Sequence, residues 1–372
     1  MHALFEENWY MLHQTDQLST PALVIYPQRV EHNINQLLKM AASADRLRPH
    51  IKTCKSGQVI QLMQQAGLYK FKCATIAEAE LLGQCGAADV LLAYQPVGAN
   101  IERLMQLIAH FPATRFSCLV DCIEAAEQLH QQASKNRLTL SIFIDVNVGM
   151  NRTGITLNKV CQLSSQLASF VNLKTMGLHV YDGHIHDTDI AARQQQCNHY
   201  LTPLMHVQQQ LESMYQRSFV LVVGGTPTFP IHVKNPSVEC SPGTFVFWDK
   251  GYESFTEQPF LSAAVVITRI VSIINEHLLC LDLGHKAIAS ENELHKRVFF
   301  LNAPGAKAVS HSEEHLVITV PNTELYHIGD IFYGIPYHIC PTVALYDEAN
   351  AAYTNQQLTH WAIEARKRKI TI

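Results

Sequence analysis

Short apolar runs alternate with longer amphipathic stretches between residues 22 and 250. The first run is ALVIYP, and later ones include VLLAYQ, RFSCLVD, LTLSIFIDVNV, LKTMGLHVY and FVLVVGG. The stretches between them, such as CIEAAEQLHQQASK and a Gln-rich segment near 188–215, are long enough to form helices. Strands that alternate with helices of this length form parallel βαβ units. Because so many units follow one another, the pattern favours a closed (β/α)8 barrel over an open doubly wound sheet.

The pattern changes after about residue 255. The runs AAVVITRIVSII, LLCLDLGHKAIA, HLVITVP, IGDIFYGIPYHI and QLTHWAIEARKRKITI have turn residues between them rather than helical stretches. We therefore predict an α/β chain with two domains, a TIM-like barrel over residues 18–255 and an antiparallel β domain over residues 256–372. The segment 1–17 and the strand near residue 22 are candidates to join the second domain.

The composition is that of a folded enzyme. The chain has 372 residues, of which 47% are hydrophobic and 16% charged, and its net charge is -4. This charge argues against a nucleic-acid-binding protein, which normally presents a basic surface. The longest apolar run, FLSAAVVITRIVSII, is interrupted by Arg269 and is shorter than the roughly 18 residues of a membrane span.

The N-terminus and the cysteines indicate the compartment. The first residues, MHALFEENWYMLHQTD, lack the basic start and apolar core of a signal peptide. The ten cysteines are scattered, as is typical of reduced thiols. We therefore expect a cytoplasmic enzyme without a membrane or nucleic-acid partner.

Reactive groups in a (β/α)8 barrel project from the carboxyl ends of the strands. The string RPHIKTCK places Lys52 at such an end. A desolvated amine there suits a Schiff base with a carbonyl compound. The alternative is a lysine whose stem covers the surface while its ammonium stays in water. Lys55 is the better surface candidate, because a helix follows it at once.

Two later strand ends also carry reactive groups. In IDVNVGMNRTG, Arg152 follows Asp145 and Asn147 and lies on a glycine-containing loop. There its guanidinium can hold a phenolate or a carboxylate. The alternative is an arginine in solvent. The string GLHVYDGHIHD carries proton-transfer and ligand groups at a density that seldom serves packing alone. Its alternative reading is a turn at Asp182-Gly183. The groups are His179, Tyr181, Asp182, His184, His186 and Asp187.

Glycines after the last barrel strands suit a phosphate. Gly224, Gly225 and Thr226 follow FVLVV, and Gly243 and Thr244 follow shortly after. Their backbone N–H groups and hydroxyls can form a concave array for an anion. Barrels commonly bind phosphate at the loops after their last two strands, so two such loops in this place predict a phosphate site.

The string PYHICPTV carries a histidine and a cysteine two residues apart. If it is a strand, His338 and Cys340 share one face and form two adjacent metal ligands. An imidazole with a thiolate is a soft set for which zinc is the expected ion. The alternative is a buried cysteine beside a hydrogen-bonded histidine.

Together these strings resemble one known family. RPHIKTCK resembles the RPHxKTHK motif of the D-serine dehydratase and D-threonine aldolase family, and DVNVGMNRTG, YDGHIH, GGTPTF and HICPTV are similar to strings of that family in the same order. The resemblance covers nearly the whole chain. It implies a pyridoxal-phosphate barrel of the alanine racemase N-terminal type followed by a β domain, and a homodimer. One departure is Cys54, which stands where the family motif usually has histidine.

The resemblance also implies roles for individual residues. Lys52 matches the lysine that forms the internal aldimine, and Lys52, Tyr181 and His184 are the catalytic candidates. Arg152 matches an arginine near the cofactor ring and Tyr181 a residue of the cofactor pocket. The phosphate would be held by Gly224, Gly225, Thr226, Gly243 and Thr244. His338 and Cys340 match the metal pair, with Zn2+ expected and Mn2+ as the alternative.

The implied activity is that of a pyridoxal-phosphate-dependent, metal-assisted lyase acting on 3-hydroxy-D-amino acids. Dehydratases of the family have HxC at the metal pair and aldolases tend to have HxD, so a D-serine-type dehydratase, which releases ammonia, is the first hypothesis. A D-threonine aldolase is the second. A racemase, which needs a second base opposite Lys52, and a non-catalytic carrier of the cofactor follow.

Overall fold

The computed structural model describes residues 7–13, 15–354 and 357–372. The chain divides into two compact units, which we call the barrel unit and the sheet unit. The barrel unit comprises Leu37–Lys52, Ile60–Gly243 and Lys367–Ile372, and the sheet unit comprises the chain up to Gln36, Thr53–Val59 and Thr244–Arg366. Each unit therefore draws on separate stretches of sequence.

Strands and helices are numbered in chain order. The strands are β1 (Ala22–Ile25), β2 (Lys70–Cys73), β3 (Asp89–Leu92), β4 (Arg115–Val120), β5 (Leu140–Asn147), β6 (Ile155–Thr156), β7 (Leu173–Val180), β8 (Val220–Val223), β9 (Glu239–Cys240), β10 (Ala264–Asn275), β11 (Leu278–Leu281), β12 (Val298–Phe300), β13 (Lys307–His311), β14 (Leu316–Thr319), β15 (Ile331–Pro336), β16 (Glu348–Ala352) and β17 (Leu358–Ala362). The helices are α1 (Pro27–Ala41), α2 (Gly57–Gln65), α3 (Ile76–Gln84), α4 (Ala99–His110), α5 (Ile123–Lys135), α6 (Val160–Leu167), α7 (Ile190–Tyr215), α8 (Phe229–His232) and α9 (Ile339–Val343).

The sheet of the barrel unit is parallel and closes into a ring. Its strands follow the order β2-β3-β4-β5-β7-β8-β9, and the two-residue β6 pairs with β5. The segment 47–50 lies between the first and last strands, because Arg48 N donates to Cys240 O at 2.9 Å and Lys72 N donates to Pro49 O at 2.8 Å. Eight parallel segments therefore surround one axis, and the predicted (β/α)8 barrel is confirmed.

The helices of the barrel unit pack by their apolar faces. In α5 the buried residues are Ala125, Ala126, Leu129 and Ala133, at the spacing of one helical face. Helix α3 starts at a cap in which the Thr75 hydroxyl accepts from Glu78 N, and this cap fixes the turn directly after β2. No helix in the described ranges is long and apolar enough to cross a membrane.

Charged side chains meet at the amino ends of the barrel strands. Arg48 binds both Asp89 oxygens, at 2.8 and 3.1 Å, and its Nε lies 2.9 Å from Glu239. Lys70 Nζ lies 2.5 Å from the other oxygen of Glu239, and Arg115 also binds Asp89. Lys70, Asp89 and Arg115 are the first residues of β2, β3 and β4 and pair in register. We call these five residues the ion cluster.

The sheet unit contains a larger, mostly antiparallel sheet. Its order is β13-β14-β11-β10-β1-β16-β17, with β15 paired to β10 and β12. Strand β1, which the sequence pattern left open between the two domains, pairs antiparallel with β10 and parallel with β16. A buried cluster that includes Tyr10, Val24 and Ile267 forms part of this unit's core, and Trp9 and Leu12 pack against it. Residues 1–6 and 14 of the segment 1–17 lie outside the described residues.

Candidate active site

A cavity of about 530 Å³ lies at the carboxyl ends of the barrel strands, within the barrel unit. Its walls come from the residues at or just beyond the ends of β2, β3, β4, β5 and β7, as is usual for active sites of this fold. The side chains that carry its chemistry are His50, Lys52, Lys72, Asp121, Asp145, Arg152, His179 and Tyr181.

Three residues predicted for the site meet around one aromatic ring. Tyr181 follows β7, and its ring centre lies 5.5 Å from Lys52 Nζ and 5.1 Å from Arg152 Cζ. Both separations are within the range in which a cation is attracted to a ring face. Lys52 is half-buried and Arg152 is exposed. The structure therefore places an amine and a guanidinium at the same cavity.

Lys72 is a further cation of this cavity, and sequence reasoning missed it. Its side chain is 2% exposed, and Nζ lies 5.8 Å from the centre of the Tyr181 ring. Burial, and next the charge of Lys52, lower the pKa of Lys72 to about 7. The string KFKC gave little signal, because its two lysines alternate with apolar residues, and this alternation does not tell which lysine is buried.

Asp145 and His179 form a buried pair on the adjacent strands β5 and β7. The Asp145 Oδ1 atom lies 2.8 Å from His179 Nδ1. Burial alone would raise the pKa of Asp145, but the hydrogen bond and charge of His179 outweigh it and lower this pKa. Burial also lowers the pKa of His179, which favours the neutral ring. Because the carboxylate fixes the Nδ1 proton, His179 Nε2 is left as a buried acceptor without a hydrogen-bond partner in the described residues.

The two predicted glycine loops lie together. Gly224 has a φ of +74°, which favours glycine, and a Cβ atom on Gly225 would lie 3.2 Å from the Tyr181 ring. The Gly243 N–H donates to Thr226 Oγ1 at 3.0 Å, so the loops after β8 and β9 share a hydrogen bond. The glycines thus lie beside the tyrosine that borders the cavity.

A buried network supports the first glycine loop. Asp182 accepts from Tyr200 at 2.8 Å and from Thr228 at 3.0 Å, and its Oδ2 lies 2.8 Å from His232 Nε2. Thr228 Oγ1 in turn accepts from Gly225 N at 3.4 Å. Burial alone would raise the pKa of Asp182, but these hydrogen bonds lower it.

The same network contains a possible metal site. One ligand atom each of Asp182, Cys197 and His232 lies within 4.8 Å of the others, and all three residues are buried. Burial raises the pKa of the Cys197 thiol to about 12, however, and the carboxylate already accepts three hydrogen bonds. We interpret the group as a support for the glycine loop.

The structure places His184 against a loop of the barrel unit. It is not among the described side chains that line the cavity. Its ring packs against Gly149, where a Cβ atom would lie 2.8 Å from Nε2. Gly149 has a φ of +120° and belongs to the loop that carries Arg152, so His184 contacts this loop rather than the cavity.

The predicted metal pair lies in the sheet unit. The prediction of a strand through both residues was wrong, because His338 caps the short helix α9 and Cys340 lies inside it. Cys340 Sγ lies 3.1 Å from Thr53 Oγ1 and 3.6 Å from Thr244 Oγ1, while His338 Nδ1 lies 2.5 Å from Glu291 Oε1. Burial would lower the pKa of His338, but Cys340 and Glu291 raise it to about 9.

Two family descriptions match the chain. Residues 25–250 match "Alanine racemase, N-terminal domain". Residues 263–351 match "Putative serine dehydratase domain". The first match alone covers more than half of the chain.

Individual proteins are similar over almost the full length. The 3-hydroxy-D-aspartate aldolase of Paracoccus denitrificans (strain Pd 1222) is 25% identical, with 94% of this chain and 92% of the relative covered. The solved structure of D-threonine aldolase from Filomicrobium marinum has a TM-score of 0.85 at 23% identity, covering 94% of this chain and 95% of that chain. That of D-threo-3-hydroxyaspartate dehydratase from Delftia sp. HT23 has a TM-score of 0.82 at 20% identity, covering 93% and 97%.

At these identities the solved structures establish the fold. The family matches establish more, because they identify both parts of the chain in the order that the sequence strings predicted. The resemblance found in the sequence is therefore confirmed: the chain belongs to the alanine racemase N-terminal domain family and is an enzyme of the lyase type represented by these aldolases and dehydratases.

Proposed function

We propose that the protein is a pyridoxal-phosphate-dependent, metal-assisted lyase of 3-hydroxy-D-amino acids, and specifically a D-serine-type dehydratase. The observation that carries the proposal is the arrangement around Tyr181. Its ring lies near Lys52 Nζ on one cavity wall, near Arg152 on another, and against Gly225 of the glycine loop. An amine, a fixed cation and an anion-binding loop are the three groups that an aldehyde cofactor with a phosphate requires.

The residues present fit this cofactor. A Cβ atom added to Gly224 would lie 2.7 Å from the His232 ring, so the backbone of this loop is held close to its support. His179 Nε2 is a further buried polar atom at the cavity; it has no hydrogen-bond partner among the described residues and could accept a hydrogen bond from a ligand. Lys52 supplies the primary amine.

Pyridoxal phosphate, when bound, supplies a conjugated ring that accepts an electron pair from the substrate's Cα. The chain's own residues hold the cofactor and move the proton. Lys52 Nζ holds the cofactor and then accepts the Cα proton. The Arg152 guanidinium attracts an anionic oxygen. Asp145 fixes the ring of His179 so that Nε2 points an acceptor toward the cavity, and Tyr181 covers one side of the bound ligand.

His338 and Cys340 would hold the divalent metal, with Zn2+ first and Mn2+ second. An imidazole and a thiol are the donor set that zinc prefers, and the carboxylate of Glu291 holds the other side of the His338 ring, as is common around metal-bound histidines. Such an ion supplies a Lewis acid for the substrate's β-hydroxyl. The residue at 340 supports the dehydratase, because cysteine stands there in the family's dehydratases.

A D-threonine-type aldolase is the second candidate. The names of two relatives, 3-hydroxy-D-aspartate aldolase and D-threonine aldolase, support it. The two reactions differ in which bond of the substrate breaks and therefore in their products. Dehydration releases ammonia and a keto acid, whereas aldol cleavage releases glycine and an aldehyde.

Purified protein loaded with pyridoxal phosphate and Zn2+ should be incubated separately with D-serine, D-threonine and 3-hydroxy-D-aspartate. We expect ammonia and the matching keto acid in equal amounts. Glycine without ammonia would identify the aldolase instead, and interconversion of D- and L-isomers without either product would identify a racemase. Cofactor binding without any turnover would leave only the carrier.

A pair of lysine variants tests the cofactor site. Lys52→Arg and Lys55→Arg both retain a positive charge, but each removes one primary amine. We expect Lys52→Arg to lose the visible absorbance band of covalently held cofactor, and Lys55→Arg to keep it. The reverse result would move the site to Lys55. A cytoplasmic location and a homodimer remain predictions from the sequence. Gel filtration tests the homodimer.

A further inference from the structure

Two primary amines line the cavity at the end of the barrel. Lys72 is the third residue of β2, and this strand pairs with the segment 47–50 through His50. The Nζ atoms of Lys52 and Lys72 lie 5.5 and 5.8 Å from the centre of the same Tyr181 ring. The side chain of Lys72 is almost fully buried, and the cavity is the part of its surroundings that a ligand can enter.

The environment of Lys72 differs from that of the lysine two residues before it. Lys70 Nζ lies 2.5 Å from a carboxylate oxygen of Glu239 and 2.8 Å from Asp45 O. None of the described residues forms a hydrogen bond or an ion pair with Lys72 Nζ at such a distance. An ammonium without a paired carboxylate is costly to bury, and a neighbouring ammonium increases the cost.

These surroundings favour a neutral, nucleophilic amine. Burial and the charge of Lys52 lower the pKa of Lys72 to about 7, so a large share of this amine is unprotonated at neutral pH. A lysine that is desolvated and lies next to another cation is a known way of activating the amine. The charged groups that act on it are Lys52 and Arg48, which lower its pKa, and Asp145 and Asp182, which raise it; His50, His179 and Arg152 line the same cavity.

We propose that Lys72 is a second carbonyl-reactive amine of this cavity and binds aldehydes by forming an imine. In this step the nitrogen lone pair attacks the carbonyl carbon, the C=O bond breaks, and its oxygen leaves as water with both amine hydrogens. The inference deepens the proposed function, since it concerns the same cavity, but it does not depend on which substrate bond is broken.

The first test uses the Lys52→Ala variant, in which the proposed cofactor amine is absent. The protein is incubated with pyridoxal 5'-phosphate and reduced with borohydride, which adds hydride to the imine carbon and fixes the adduct as a secondary amine. Peptide mass spectrometry then locates the adduct. We expect Lys72 to be modified at least tenfold more than any exposed lysine. Equal modification of Lys72 and the exposed lysines would overturn the proposal.

Two double variants provide the matched control. Lys52→Ala/Lys72→Met should lose the preferred adduct, whereas Lys52→Ala/Lys70→Met should keep it, because Lys70 lies on the same strand but is paired with Glu239. Loss of the adduct in the Lys70 variant, with an unchanged fold by circular dichroism, would show that the labelling is not specific to Lys72 and would count against the proposal.

The second test uses the wild-type chain and so does not depend on the fold of a variant. Limiting formaldehyde with cyanoborohydride methylates amines in proportion to their neutral, accessible fraction. We expect methylation of Lys72 to rise through pH 7 and to level off by pH 9, while exposed lysines continue to rise. A profile for Lys72 parallel to the exposed lysines would refute the proposal. Absence of a pyridoxal phosphate adduct at Lys52 in the wild type would instead refute the proposed function and leave this inference standing.

Discussion

Positively charged side chains have different partners at the two ends of the barrel. At the amino ends of the strands, Arg48, Lys70 and Arg115 each bind a carboxylate of Asp89 or Glu239. At the carboxyl ends, the cations Lys52, Lys72 and Arg152 surround one aromatic ring, and no described carboxylate forms an ion pair with them. The same residue types therefore form ion pairs at one end of the barrel and, among the described residues, have no carboxylate partner at the other end.

This difference separates structural from functional cations within a single fold. Two lysines on β2, only two residues apart, belong to different ends, and only the environment distinguishes them. A buried charge with a hydrogen-bonded partner holds the barrel together, whereas a buried charge without one costs stability and is a candidate for chemistry. Substitutions at the amino end should therefore change mainly the free energy of unfolding, and substitutions at the carboxyl end mainly the activity or the reactivity of the amines.

Lys52→Ala should cause the largest effect, on activity. Because the amine is proposed both to hold the cofactor and to move the Cα proton, we expect turnover to fall on the order of 10³-fold or more. The free energy of unfolding should change by less than about 1 kcal/mol, since Lys52 is half-buried and its amine forms no ion pair within the described part of the chain. Steady-state kinetics and urea denaturation measure the two quantities. A stable variant with near-normal turnover would contradict the proposed role.

Arg48→Met should cause the largest effect on stability. Arg48 is 2% exposed, and its removal leaves the buried Asp89 and the partly buried Glu239 with fewer partners. Breaking a buried pair by removing one partner costs about 3–5 kcal/mol. Urea denaturation checks this value. Loss of the absorbance band of bound cofactor in protein that remains folded would show that the ion cluster also serves the opposite end.

Lys72→Met should stabilise the protein, with an effect that depends on pH. The unfolded chain keeps this proton until about pH 10.5 and the folded chain only until about pH 7, so between these values the unfolded state binds more protons and wild-type stability rises with pH. The variant lacks this dependence. We therefore expect an advantage of about 1–4 kcal/mol at pH 6 that shrinks by pH 9.

Urea denaturation at pH 6, 7.5 and 9 measures this advantage. Lys70→Met is the control, since it removes the partner of Glu239 and should destabilise the protein throughout that range. An advantage of Lys72→Met that grows with pH would show that Lys72 is stabilised as an ammonium in the folded state.

Arg115→Met should have the smallest effect. Its side chain is 59% exposed although it binds the same Asp89 as Arg48 does. Water and salt screen such a pair, so we expect the free energy of unfolding to fall by less than about 1 kcal/mol. A loss as large as that of Arg48→Met would show that the cluster acts as one unit.

The sequence predicted the barrel because its alternation of strands and helices is repeated many times. The sequence did not decide to which domain β1 belongs, because ALVI followed by a helix has the same pattern as any other βα unit. The partner strands of β1 lie more than 200 residues further along the chain. The strand through HIC was a wrong prediction, since the five residues of α9 are too few to show a helical period.

The candidate site was only partly visible for a similar reason. Arg152 and Tyr181 follow long apolar runs, and Lys52 lies in the string RPHIKTCK that carries the family resemblance. These features made the three residues conspicuous, and the structure brings them together. Lys72 sits inside a four-residue strand and was passed over, although its environment is unusual. The position of His184 against Gly149 depends on how one loop folds over another, which spacing along the chain does not encode.

The pairing of β1 has a consequence for how the chain is made. Ala22–Ile25 is translated before both of its partners, the antiparallel strand around Ile267 and the parallel strand around Asn350, which lie more than 200 residues further along the chain. Synthesis from the N-terminus therefore allows every strand of the barrel to emerge before β1 has a partner, and the sheet around β1 can be completed only after Asn350 has been translated. A fragment that stops at residue 255 would expose this apolar strand without either neighbour and should be prone to aggregate.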